Sequence, residues 1–396
     1  MSIPSRTAAR RIAAARLISL TGSQAAFTAL LFALYKRTGS STWIAAALLL
    51  TVGAEGAFSP LAGLLGDRFD RRRLMIASDL LGAGCFAGMA FLGSPLPLLG
   101  LAFAAALVES PFFPAAGAAV PNLVAEADLA WANGTIAFGS NVGYLAGPAL
   151  GGAMVAWLGA PTVFVLNGVS FLVSAALVAT VRGSFSAPRD AEPPHHHRGA
   201  RAGFAFVFHD PVLRTMIVAF AVFAISLGSV LVAELPLSTA FGAGALGYGL
   251  LSTCYGTGAL AGSLAGKRLT VQTERQVMVW ASFVTAAGFG SVVFMPTIGP
   301  VFAAMVLAGA SDGIVDVAVE VIFQRRSPDH VRSRVIASLE AVWHGGLALS
   351  FLFAGTLIDA LGPKAAYALA GAGSALASVM LLPVLREPRR DPDLAS

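Results

Sequence analysis

The chain has 396 residues, of which 56% are hydrophobic and only 12% are charged. A soluble globular domain carries about 25% charged residues, and the mean hydropathy of this chain is +0.76. This composition excludes an ordinary soluble enzyme and a disordered chain. It also excludes a nucleic-acid-binding protein, because the positive charge lies in short clusters between apolar runs. The composition indicates an integral membrane protein.

Apolar runs long enough to cross a bilayer recur along the whole chain. A membrane-spanning helix needs about 20 mostly apolar residues, because each residue rises about 1.5 Å through a hydrocarbon core about 30 Å thick. The sequence therefore predicts an all-α membrane protein with twelve transmembrane helices. The predicted spans are residues 17–35, 42–65, 74–93, 97–120, 134–157, 161–181, 210–235, 246–266, 276–295, 300–322, 335–358 and 363–385.

The basic residues are distributed unevenly between the two sides of these spans. If the N-terminus is cytoplasmic, 23 of the 26 lysines and arginines lie in cytoplasmic segments, and only Lys36, Arg37 and Lys364 lie outside. An excess of lysine and arginine in cytoplasmic loops sets the orientation of multi-pass proteins. The distribution predicts an even number of spans in the inner (plasma) membrane, with both termini in the cytoplasm.

A polar stretch divides the spans into two groups of six. It contains three histidines, His195–His197, which could bind a metal ion, but the surrounding prolines favour a solvated linker. We predict no metal and no cofactor. The predicted organisation is an N-terminal six-helix bundle over 1–181, a cytoplasmic linker over 182–209 and a C-terminal six-helix bundle over 210–396. This layout is typical of transporters whose substrate site lies near the bilayer midplane.

The loop between spans 2 and 3 carries a charged motif. Residues 63–72 read G-x-x-x-D-R-x-x-R-R. With the twelve spans and the central linker, this motif resembles motif A of the major facilitator superfamily, and the resemblance covers nearly the whole chain. It implies a cytoplasmic gate with ion pairs across the two halves; alternatively, the charges only fix the topology. The implied gate residues are Gly63, Asp67, Arg68, Arg71 and Arg72, with Glu320, Arg334 and Glu340 as partners.

A glycine-rich motif lies in span 5. Residues 143–152 read G-x-x-x-G-P-x-x-G-G, which places Gly143, Gly147 and Gly151 on one helical face. Pro148 bends or loosens the turn, and Gly152 completes the motif. The segment resembles motif C of the proton-coupled antiporters of the superfamily. The alternative is close helix packing without a transport role.

Shorter phrases resemble one branch of the superfamily. They are residues 35–40, 121–124 with 132–134, and 324–329 with 334–335. Together they are similar to the exporters of drugs, macrolides and enterobactin-type siderophores. No phrase separates these substrates.

Carboxyl groups inside the spans are candidates for proton coupling or substrate binding. Charged side chains at the centre of a membrane helix cost about 2.5–3.5 kcal/mol on insertion scales, so they are seldom present without a function. Glu55 and Glu109 lie at mid-depth in spans 2 and 4, and Asp312 and Asp316 share one face of span 10. The alternative for each is a structural hydrogen bond. Asp79 lies near the start of span 3 and is interpreted as structural, because a helix N-terminus favours a carboxylate.

The family resemblance also implies which residues line a central cavity. No basic residue is placed at mid-depth in the predicted spans, which disfavours small anions as substrates. The cavity candidates are Gln24, Phe112, Phe113, Asn141, Tyr144, Glu234 and Tyr255.

These observations predict a secondary active transporter. No nucleophile elbow, phosphate-binding loop or metal triad is present, so we predict no enzymatic activity. The expected function is export of a small amphipathic organic compound by alternating access, as a proton antiporter. Its partners would be the substrate, protons and the lipid bilayer, and the superfamily resemblance implies a monomer. Two alternatives stay open: an importer or facilitator of a specific metabolite, and a membrane sensor that transports nothing.

Overall fold

The computed structural model describes residues 6–185 and 200–386, so the histidine run His195–His197 lies outside the described residues. Those residues form α-helices and short 3₁₀ turns, and they contain no β-strand. The predicted all-α fold is therefore confirmed. The helices are α1 (Arg6–Thr38), α2 (Ser41–Arg68), α3 (Arg71–Ala90), α4 (Pro95–Glu109), α5 (Phe112–Leu123), α6 (Leu129–Leu158), α7 (Ala160–Thr180), α8 (Ala200–His209), α9 (Pro211–Ala240), α10 (Gly244–Gly266), α11 (Glu274–Ser291), α12 (Ile298–Arg326), α13 (Asp329–Leu361) and α14 (Pro363–Leu381).

Each of the twelve predicted spans coincides with helical structure. Within the described part of the chain, nine helical segments are long and apolar enough to cross a membrane. One of the nine, Pro95–Leu123, combines α4 and α5. The number of membrane crossings and the cytoplasmic position of the termini stay predictions.

Several helices begin earlier than the apolar runs. α1 begins at Arg6, eleven residues before the predicted span, and α13 begins at Asp329, six residues before it. A hydropathy window marks only the apolar part of a helix, whereas basic and polar residues continue the same hydrogen-bonded ladder. Two placements change as a result. Arg16 lies inside α1, and Glu340 lies about three turns from the N-terminus of α13, not one turn as the predicted span implied.

The fourth predicted span is interrupted. α4 ends at Glu109 and α5 begins at Phe112, with Pro111 between them. Proline has no backbone N–H and its ring clashes with the preceding turn, so it breaks the ladder here. The interruption leaves Glu109 beside an irregular turn, next to the polar cavity described below.

The chain divides into two compact units. Unit 1 contains residues 1–193 and 234–253, and unit 2 contains residues 194–233 and 254–396. The segment 234–253, which joins the end of α9 to the start of α10, therefore groups with the first half of the chain. The predicted linker, 182–209, includes the helix α8. The two-bundle boundaries at 181 and 210 stay a prediction.

In unit 1, the glycine face of α6 packs directly on α1. A Cβ atom on Gly151 would lie 2.5 Å from the Cα atom of Ala25, and one on Gly143 would lie 3.2 Å from the backbone nitrogen of Thr21. Gly147 lies against Gln24 in the same way. Small residues at four-residue spacing let membrane helices approach closely. The predicted motif C face is therefore the α1–α6 contact surface.

In unit 2, α10 and α12 pack through a reciprocal pair of glycine motifs. Cβ atoms on Gly258 and Gly262 would collide with the backbone of α12, and Cβ atoms on Gly309 and Gly313 would collide with the backbone of α10. Each helix thus presents a G-x-x-x-G surface to the other. This interface fixes the position of α12, which carries three of the carboxyl groups described next.

Candidate functional site

Unit 2 contains a cavity of about 890 Å³ with an acidic and aromatic lining. Asp316 and Glu320 of α12 and Glu340 of α13 contribute the carboxyl groups, and Phe220 and Trp343 contribute the aromatic surface. The two rings stack with their centroids 5.1 Å apart. The cavity therefore offers negative charge beside a flat apolar wall.

This lining favours positively charged ligands. Three carboxylates in one cavity repel one another. A bound proton or an organic cation would relieve that repulsion. Aromatic rings within about 6 Å of a cation attract it through their electron-rich faces. The sequence analysis grouped Glu320 and Glu340 with the gate; the structure places both in the cavity with Asp316.

Asp312 lies one turn before Asp316 on the same helix. It is buried, and the Tyr255 hydroxyl donates a hydrogen bond to Asp312 Oδ2 at 2.5 Å. The Tyr255 ring in turn stacks on Phe289, with a centroid distance of 6.2 Å. Asp312 also lines a neighbouring cavity of about 420 Å³ with Phe223. The predicted face of span 10 is thus a continuous row of carboxyl groups.

Unit 1 contains a smaller polar cavity of about 260 Å³. Arg16 of α1, Asp79 of α3 and Glu109 of α4 line it. The Ser23 hydroxyl donates a hydrogen bond to Glu109 Oε2 at 3.1 Å, and Phe112 closes one side of the cavity. Glu109 was a predicted site residue, whereas the sequence analysis placed Arg16 outside the spans and treated Asp79 as structural.

A wider cavity of about 930 Å³ lies in the same unit. It brings together the predicted residues Phe113, Asn141 and Tyr144, with Arg16 and Asn133. The Arg16 guanidinium carbon lies 5.2 Å from the centre of the Phe113 ring. Arg16 therefore lines both of these cavities, although the predicted span began after it, because α1 extends beyond its apolar run.

Two other cavity candidates lie in packed regions. Glu234 is buried within unit 1, where the Ser252 hydroxyl donates a hydrogen bond to Glu234 Oε2 at 2.8 Å. Gln24 lies at the α1–α6 contact, against Gly147. Neither residue lines the cavities described above.

The structure describes only some of the motif A side chains. The side chains of Glu55, Gly63 and Asp67 lie outside the described residues, and Arg68 ends α2. Resemblance to the family implied ion pairs for Arg71 and Arg72. The ion pairs stay a prediction; in unit 1 these two arginines donate hydrogen bonds to backbone carbonyls.

The carbonyls in question lie in the C-terminal half of α5, at the end of α7 and in the segment that follows α7. Arg71 Nη1 donates to the carbonyl oxygens of Ala118 at 2.8 Å and Phe185 at 3.3 Å. Arg72 donates to the carbonyl of Ala179 at the end of α7. The last carbonyls of a helix lack intrahelical partners and carry partial negative charge. Arg71 and Arg72 therefore bind carbonyl oxygens of neighbouring segments and also supply positive charge.

The basic end of α12 forms two ion pairs within unit 2. Arg326 Nη2 lies 2.9 Å from Asp210 Oδ2, and Arg325 Nη1 lies 3.0 Å from Glu274 Oε2. Glu320, a predicted gate partner, accepts a hydrogen bond from Gln324 at 2.9 Å. Another predicted gate partner, Arg334, packs its carbonyl oxygen against Gly203 of α8. The arginine pairs thus join α12 to the starts of α9 and α11.

Solved structures define the class of fold. A bacterial homologue of the iron transporter ferroportin aligns with a TM-score of 0.75 at 16% identity, covering 95% of this chain and 98% of that chain. A bacterial homologue of the lysosomal transporter Spinster gives a TM-score of 0.72 at 15% identity, covering 99% of this chain and all of that one. At these identities the likeness establishes the fold, which is that of the helical membrane transporters.

Sequence comparison defines the family. A family model described as "Transmembrane secretion effector" matches residues 56–396. The chain belongs to this family of the major facilitator superfamily and is a multi-pass inner-membrane protein. It is 27% identical over 381 residues to the multidrug efflux pump Tap of Mycobacterium tuberculosis, covering 89% of this chain and 87% of that protein.

Proposed function

We propose that this protein exports small amphipathic organic compounds in exchange for protons, by alternating access. The acidic and aromatic cavity of unit 2 carries the proposal. The related pump Tap is described as a multidrug efflux pump, which supports export of several compounds. In this proposal the chain is a monomer with twelve membrane spans and cytoplasmic termini. The coincidence of all twelve predicted spans with helices supports that topology.

The cavity lining suggests how protons and substrate would be exchanged. A proton on Asp316, Glu320 or Glu340 reduces the repulsion among the three carboxylates, and so does an organic cation lying against Phe220 and Trp343. Because both ligands relieve the same repulsion, they compete for the cavity. Competition of this kind gives antiport when the cavity is exposed alternately to the two sides of the membrane. The preferred substrates are therefore aromatic compounds with a positive charge.

Changing Asp316 to asparagine should lower export of the cationic dye rhodamine 6G by about twofold to fivefold, because the loss of one partner of a solvent-accessible charge pair costs about 0.5–1 kcal/mol of binding. The measurement is dye accumulation in cells that lack their own exporters, with and without a protonophore. Wild-type protein should lower accumulation, and the protonophore should abolish the difference.

The matched control is Glu126→Gln, which removes an exposed carboxyl group in the 3₁₀ turn Glu126–Asp128 of unit 1. This variant should export rhodamine 6G like the wild type. Equal export by Asp316→Asn and wild type at the same expression level would contradict the role given to the cavity. Higher dye accumulation in cells with the wild-type protein than in cells without it would favour the importer alternative.

A further inference from the structure

We propose that Asp79 is the proton-carrying residue of unit 1, and that Arg16 is a positioning cation which Asp79 shares with Glu109. The inference rests on the proposed proton antiport and extends it to residues outside the acidic cavity of unit 2. It assigns a coupling function to a side chain that, from its sequence position, looked like an ordinary helix-terminal carboxylate.

The Asp79 side chain is buried. Asp79 is 1% exposed and lies in the third turn of α3, where it faces the 260 Å³ cavity. An ionised carboxylate without a partner is very costly in such a place. Asp79 must therefore be neutralised, either by a proton or by a nearby cation. Among the residues that the structure describes, Arg16 is the one basic residue in the lining of this cavity.

Few titratable groups of the described residues lie around Asp79. α1 contributes Arg16 and α4 contributes Glu109, while Ser174 of α7 lies beside Asp79. On α3 itself, Cys85 is the other titratable side chain on the membrane side of Asp79. The sequences of α5 and α7 hold no ionisable residue. α2 carries Glu55 and Asp67, whose side chains are outside the described residues, and ends at the exposed Arg68.

Two carboxyl groups thus share one cation. If both carboxyl groups were ionised, the cavity would retain one net negative charge, and a single proton would neutralise it. Ser23 donates a hydrogen bond to Glu109, which compensates that carboxylate for part of its lost hydration. Glu109 is also less buried than Asp79. The proton is therefore assigned to Asp79 and the charge of Arg16 mainly to Glu109.

Arg16 is the cation near Asp79. Its Nε atom is buried and makes no hydrogen bond to any residue that the structure describes. Its guanidinium lies over the Phe113 ring and borders both the small polar cavity and the wide cavity. The side chain can therefore move towards Asp79 when the proton leaves, without first breaking a hydrogen bond from Nε. This movement would link the protonation of Asp79 to the wall of the wide cavity.

The test separates proton coupling from substrate movement in liposomes that contain the purified full-length protein. Rhodamine 6G transport driven by a pH gradient is compared with rhodamine 6G exchange at equal dye concentration and equal pH on both sides. Asp79→Asn should abolish gradient-driven transport while exchange continues. Asp70→Asn is the matched control. It makes the same chemical change at the start of the same helix, where asparagine also caps well, and it should preserve both activities.

The outcomes distinguish the two proposals. Gradient-driven transport by Asp79→Asn at the wild-type rate would overturn the inference, and so would loss of both activities by a correctly folded variant. If wild-type protein shows no response to a pH gradient, the proposed antiport itself fails. If Asp79→Asn does not fold, Asp79→Glu decides: a displaced pH profile of transport supports the assignment, and an unchanged profile overturns it.

Discussion

Replacing Arg326 by alanine should lower the free energy of unfolding by roughly 3–5 kcal/mol, the cost of leaving one charge of a buried ion pair without its partner. The side chains of Arg326 and Asp210 are only 9% and 5% exposed. Arg326 binds Asp210 through Nε as well as Nη2. Asp210 also accepts hydrogen bonds from the backbone nitrogens of Val212 and Leu213, and so caps α9. The lost arginine would leave this capping carboxylate buried without its cation.

An ion pair with two more accessible partners provides the control. Arg6 Nη2 lies 2.7 Å from Asp128 Oδ1, and the two side chains are 59% and 25% exposed. Water and salt can replace an exposed partner, so Arg6→Ala should lower the free energy of unfolding far less than Arg326→Ala. Both variants remove one arginine, so they change the net charge equally. Unfolding in mixed detergent micelles gives both values. A loss under 1 kcal/mol for Arg326→Ala would show that the pair contributes little to stability.

The second large effect is expected at the α10–α12 interface. Changing Gly313 to alanine places a methyl group against the carbonyl oxygen of Ala259, where the neighbouring atoms are backbone and cannot move independently. The helices must separate, which costs roughly 1–3 kcal/mol for the added methyl group and also displaces Asp312 and Asp316. We expect a reduced yield of monodisperse protein in size-exclusion chromatography and lower rhodamine 6G export by the protein that remains.

Gly345→Ala serves as the comparison for the glycine prediction. Gly345 lies within α13, and a Cβ atom added there meets no atom within 4 Å. Alanine is about 1 kcal/mol better than glycine in a helix, so this change should leave stability equal or slightly higher. A Gly313→Ala variant as stable as Gly345→Ala would mean that the two helices tolerate a wider separation than the structure indicates.

The helices could be predicted because their apolar runs are long and their charges are sparse. Apolar runs did not locate the helix ends, because the residues there become polar while the backbone hydrogen bonding of the helix continues. Arg16 illustrates the consequence: it was assigned to a flanking segment, although it lies inside α1 and lines two cavities. α8 was missed because its ten residues are too few to register as a span.

The candidate sites were partly predictable for a related reason. A carboxyl group in an apolar run stands out, so Glu109, Asp312 and Asp316 could be selected from the sequence. The addition of Glu340 to Asp316 and Glu320 could not, because it depends on how α12 and α13 pack. The glycines of α10 and α12 were also passed over. A G-x-x-x-G pattern is common in membrane helices, and only the partner helix shows whether it forms a contact.

The arginines near the ends of α5 and α7 have a consequence for how the chain acquires its shape. During membrane insertion, positive charge alone decides which side a segment remains on, and lysine serves as well as arginine. After folding, Arg71 holds two carbonyls with one nitrogen, and Arg11 reaches the carbonyl of Thr180 at 2.5 Å. The planar guanidinium provides this reach and direction, whereas an ammonium group is a compact point charge. In the predicted topology the same residues therefore act twice: their charge keeps these segments on the cytoplasmic side during insertion, and their guanidinium groups then join neighbouring helices.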